Sequence, residues 1–107
     1  MNKPVYAIHS AEAEKLEAVK SEMTKLGSPA IQVVDCGDYY MALEGSHRLA
    51  AAHELGIRPE LTIHAQDDEI DLTQFDWFDA SNWAADRYPA GDVAGELYSV
   101  QAVAYRF

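Results

Sequence analysis

The residues whose types and spacing could do chemistry stand together as Glu44-Gly45-Ser46-His47-Arg48. They lie between a β-rich run ending at Glu44 and a segment with apolar residues at helical spacing from Ser46 to Leu55. Glycine permits a tight strand-to-helix turn. The first helical amides, those of Ser46, His47 and Arg48, then have no intrahelical acceptor. Such a turn is suited to phosphate or another anion. Arg48 sharpens the point, because a cation in the first turn opposes the helix dipole by about 0.3–1 kcal/mol and calls for a compensating anion. That anion is either a ligand or a carboxylate of the chain itself, with Glu44 the nearest polar partner. Ser46 and His47 do not suit a nucleophile–base pair, since neighbours at a helix start point in different directions.

The elements that must position this turn follow from pattern. Pro4 to His9 reads as a first strand. Ser10 is placed to cap a helix with Glu12 and Glu14 in its acid-favouring first turn, Leu16, Val19, Met23 and Leu26 at helical spacing, and Gly27 as its stop. Ala30 to Asp35 predicts a second strand, Cys36-Gly37-Asp38 a hairpin turn, and Tyr39 to Glu44 the returning strand. The second helix, Ser46–Leu55, turns Leu49, Ala52 and Leu55 inward and ends at Gly56. Pro59 to His64 alternates as a strand with Leu61 and Ile63 on one side. Asp67 to Asp71 predicts an acidic loop. Phe75, Trp77, Phe78 and Trp83 cluster about a short helix at Asp79–Asp86, Tyr88 to Asp92 breaks it, and Leu97 to Phe107 forms a last strand with Tyr98, Val100, Ala102 and Ala104 on one face.

Length and charge bound the rest. The 107 residues suit one domain over 1–107, and 49% apolar content argues against disorder. Up to His64 there are six Lys/Arg against nine Asp/Glu; from Ala65 onward there are two against nine, which makes residues 65–107 an acidic and aromatic C-terminal part. A net charge of −10 without any basic block disfavours duplex DNA. No apolar stretch is long enough to span a membrane, the opening residues read as folded protein, and the single cysteine, Cys36, fits a reducing compartment; the expectation is a cytoplasmic protein. His9, His53 and His64 lack metal-ligand spacing, and Asp67, Asp68, Glu69 and Asp71 lack an EF-hand's glycine and spacing. The tryptophans and Phe78 read as packing.

The segment from Glu44 to Ala52, followed by Leu55-Gly56, resembles the G-x-x-R-x-x-A box of ParB-like proteins. It is also similar to the G-C-H-R turn of sulfiredoxins and the D-G-H-H-R turn of free serine kinases. The resemblance covers Val5 to about Ile63 and implies an α+β fold, a small mixed sheet with two main helices of the ParB/sulfiredoxin-like kind. It implies that Gly45, Ser46, His47 and Arg48 contact the phosphates of a nucleoside triphosphate carried with Mg2+, as in a phosphotransferase or nucleoside triphosphatase. Ser46 stands where sulfiredoxins hold a cysteine nucleophile, and a hydroxyl cannot replace that thiolate. Ala50 stands where partition ParB proteins carry a second arginine, and their helical DNA-binding domain has no counterpart in these 107 residues. The other class of function is a non-catalytic interaction module that keeps the fold and offers its aromatic C-terminal part to a second copy or a protein partner.

Overall fold

The computed structural model describes residues 3–107. The chain runs β1 (Val5–Ala7), α1 (Ala13–Leu26), β2 (Ala30–Asp35), β3 (Tyr40–Ala42), α2 (Ser46–Leu55), β4 (Glu60–His64), β5 (Glu69–Asp71), a single 3-10 turn (Leu72–Gln74), β6 (Arg87–Pro89), α3 (Ala90–Leu97) and β7 (Val103–Tyr105). It is a compact α+β domain. Five strands form a mixed sheet in the order β4-β2-β3-β1-β7, while β5 and β6 pair separately.

The β2–β3 hairpin sets the sheet's centre. Cys36 N–H donates to Tyr39 O at 2.9 Å and Gly37 N–H to Asp35 Oδ1 at 2.9 Å, which reverses the chain at the expected turn. Strands β1 and β4 then add in parallel to β3 and β2, and β7 closes one edge antiparallel to β1. Alternation along β2 divides the core between two faces. Ile31 and Val33 join Val5, Ala7, Ala42 and Leu49 on the face covered by α2. Val34 joins Met41, Leu43, Ile70, Leu72, Phe75, Val93 and Ala94 on the other. Helix α1 docks on α2 through Met23 against Ala51 and Ala52.

Several expectations are corrected. The first helix begins at Ala13 with Glu12 as its cap residue, not at Ser10, and no side chain of the cap residue serves it. Leu55, expected inward, is partly exposed in the last turn of α2, and Leu26 in the last turn of α1 is 82% exposed despite its helical spacing. A third helix, α3, joins the two expected. It starts where Tyr88 to Asp92 read as a breaker: Pro89 sits at the cap position with φ −59°, which a proline ring supplies. The acidic stretch contributes a strand, since Ile70 is buried and Glu69 pairs with Arg87 across β5–β6 at 3.5 Å. No helix forms over 79–86; Asp79 takes Ser81 N–H at 2.9 Å and its hydroxyl at 2.8 Å, a local alternative to helix. The last strand is only Val103–Tyr105; Leu97 belongs to α3, Tyr98 packs on Tyr6 and Tyr39, and Val100 is fully exposed. Residues from Ile70 to Ala94 thus supply most of the buried side chains on one side of the core, while Tyr105 and Phe107 pack on the other. Among the described residues no helix is long and apolar enough to cross a membrane.

Candidate functional site

Gly45 is the hinge between β3 and α2. Its φ of 75° and ψ of 33° lie in the left-handed region, and a Cβ there would stand 2.6 Å from Ile31 Cδ1 and 3.2 Å from Arg48 Nη2. Both conformation and space require glycine. The turn is held from behind by the C-terminal part: Trp77 Nε1–H donates to Leu43 O at 2.6 Å, fixing the chain two residues before the hinge.

Helix α2 opens with no side-chain cap and no acid in its first turn. Ser46 is buried, so its part at an open site falls to its amide rather than to an accessible hydroxyl. His47 Nε2 accepts the backbone N–H of Glu12 at 3.1 Å. That bond leaves the ring proton on Nδ1 and brings the N-terminal ends of α1 and α2 together. Burial pushes the His47 pKa below its ordinary 6.5, with His9 and Lys15 acting in the same direction and Glu12 against it. The His9 ring meets His47 edge-on at 5.5 Å, with its Nδ1–H on Ser10 O at 2.7 Å.

Arg48 is half-exposed. Its Nη1 donates to Ala30 O at 3.1 Å and its Nη2 lies 3.6 Å from Glu44 Oε1. Glu44 faces the other way as well: its Oε2 accepts from both Gln32 N and Gln32 Nε2 at 3.3 Å. Gln32 is in turn bonded to Gln74 and to His64 Nε2, so the acid beside the turn is held in a polar network. The Glu44–Arg48 contact is a single long approach at the surface, the kind of pair worth little by itself.

A cavity of about 740 Å³ opens beside these residues, within the size range of small-molecule sites. Glu44, Gly45, Ser46, His47 and Arg48 all line it. Its remaining wall comes from α1 and the turn that follows it (Val19, Glu22, Met23 and Leu26 to Pro29), from Ile8 and His9, and from Gln74 to Trp77. The five residues expected from sequence are therefore brought together on one concavity. Nothing in the local pattern of the wall residues ties them to the turn: Val19 and Met23 carry only a helical spacing, and the aromatic cluster around Trp77 points to packing. Trp77 does pack, stacking on Phe75 with ring centroids 5.0 Å apart.

Cys36 is half-buried, unpaired and away from this cavity, and burial pushes its thiol pKa up, which makes it a poor nucleophile. Among the described residues no group of three or more His, Cys, Asp or Glu is placed to hold a metal ion. Comparison with known protein families, curated proteins and solved structures finds no significant match.

Proposed function

We propose that this chain is a ParB/sulfiredoxin-like domain that binds the phosphate groups of a nucleotide at the turn Gly45–Arg48. The observation that carries the reading is the meeting of an uncapped, acid-free helix start with Arg48 on one ligand-sized cavity. Gly45 lets a phosphate approach the backbone, the amides of Ser46 and His47 donate, neutral His47 adds no charge, and Arg48 supplies it. Mg2+ in this reading travels with a triphosphate. Such an ion takes one or two carboxylates besides phosphate oxygens, and Glu22, Glu44 and Asp76 on the cavity wall are the candidates. Phosphoryl transfer or triphosphate hydrolysis belongs to the same reading, and cytoplasmic residence fits the lone thiol.

The test is thermal unfolding with nucleoside triphosphates and Mg2+, using the wild type and Arg48→Ala. Ligand at 100 times Kd adds about 2.7 kcal/mol of apparent stability to the wild type. Absence of any shift at saturating nucleotide sinks the reading.

One observation favours a second reading, a non-catalytic interaction module. Arg48 is already engaged by Ala30 O and Glu44, and three carboxylates share its cavity. In that case Arg48→Ala lowers stability and leaves the nucleotide response unchanged.

A further inference from the structure

Strand β4 lies at one edge of the five-stranded sheet and pairs only with β2. Glu60 N–H donates inward to Pro29 O at 2.9 Å. Backbone direction alternates along a strand, so Glu60, Thr62 and His64 turn their amides and carbonyls toward β2, while Leu61 and Ile63 turn theirs outward. Natural sheets blunt such an edge with lysine, an internal proline or a bulge. Strand β4 has none of these. Its register with β2 runs unbroken from Ala30–Glu60 to Val34–His64, and Ile63 is 51% exposed.

We infer that this edge is a self-association surface, and that its occupant is β4 of a second copy, antiparallel and centred on Thr62. The choice of a second copy rests on the strand's own symmetry. With Thr62 opposite the partner's Thr62, each Leu61 faces the partner's Ile63, and the outward N–H and C=O groups of both residues pair in four hydrogen bonds. The same register sets each Glu60 opposite the partner's His64, with no like charges opposed. Shifting the centre to residue 61 or 63 keeps the backbone parity but loses both Glu–His pairs. The apolar face also continues: Leu61 and Ile63 stand beside buried Ile31 and Val33, and a second copy covers the exposed Ile63 with the partner's Leu61. A five-residue strand buries little area by itself, so the dimer is a weak one that fills with concentration.

The experiment uses the full chain at physiological salt, where the net charges of two copies are screened beyond about 8 Å. Sedimentation equilibrium over micromolar to millimolar protein should show mass rising from monomer toward dimer. Ile63→Lys, at an already exposed position, should stay monomeric with the same circular dichroism. The register is read by oxidative cross-linking in a Cys36→Ser background. Thr62→Cys should form a disulfide dimer readily, because facing Cα atoms in a non-hydrogen-bonded pair lie about 4.5 Å apart. Glu60→Cys should not, since its copy in the partner lies four residues along, roughly 13 Å away. A wild type that stays monomeric throughout, or equal cross-linking from both positions, overturns the inference.

Discussion

His47 Nε2 accepts the amide of Glu12 at 3.1 Å, so a side chain from the first turn of α2 also caps α1. The bond requires that nitrogen unprotonated, and the folded protein lowers the pKa of His47 below 6.5. The fold therefore favours the neutral ring. Its contribution is fully present above about pH 6.5 and is lost as pH falls from there through the lower folded value. Thermal midpoints measured from pH 8 to 5 should decline over that window in the wild type and decline less in His47→Gln. Identical slopes in both proteins would remove this role from His47.

Gly45→Ala and Gly56→Ala sit at opposite ends of α2, both at positive φ. Each substitution carries the left-handed penalty of about 1–2 kcal/mol. Only at Gly45 does the added methyl meet Ile31 Cδ1, at 2.6 Å, while nothing lies within 4 Å at Gly56. Overpacking adds about 1–3 kcal/mol. Urea unfolding should rank Gly45→Ala as the more damaging of the two.

Asp35 joins the hairpin to the chain's start. Its Oδ1 accepts from Lys3 Nζ at 2.6 Å and from Gly37 N–H, while the Lys3 ammonium also stands 4.4 Å over the Tyr40 ring. The Lys3 bond, then the Gly37 amide, hold the Asp35 pKa below its ordinary 3.8. This stability is present above that value and lost as pH falls below it. Asp35→Asn should flatten the acid end of the stability profile, and NMR titration of the Asp35 carboxyl checks the direction independently.

Leu72 is fully buried among Val34, Met41, Leu43 and Val93, which ties the C-terminal part to the central strands. Leu72→Ala should cost about 2–5 kcal/mol. Unfolding followed by Trp77 and Trp83 fluorescence should coincide with that followed by far-UV circular dichroism. Separate transitions would make residues 65–107 a unit of their own.

The first sixty residues were legible because their signals are local. Gly27, Gly37, Gly45 and Gly56 all take positive φ, and the elements between them have the expected order. The turn at Gly45 was readable for the same reason. The later part was not, because its strands and helix depend on distant contacts. Ile70 is a single apolar residue among acids, and only its burial against the sheet makes Glu69–Asp71 a strand. Pro89, Gly91 and Gly95 disguise α3, whose Ala90, Val93 and Ala94 gain burial in the cluster they share with Val34, Met41 and Leu72. The wall of the cavity depends on Trp77 reaching Leu43 across 34 positions, a pairing that no local spacing announces.

The nucleotide reading places phosphate on particular amides, and an amide-resolved NMR titration tests that most directly. Labelled protein is titrated with a nucleoside triphosphate and Mg2+, then with inorganic tripolyphosphate and Mg2+. The expected result is saturable shifts at the amides of Gly45, Ser46, His47 and Arg48 with both ligands, abolished in Arg48→Ala, and further shifts along the cavity wall with the nucleotide alone. Unmoved turn amides at millimolar ligand, or the same shifts in Arg48→Ala, would contradict it.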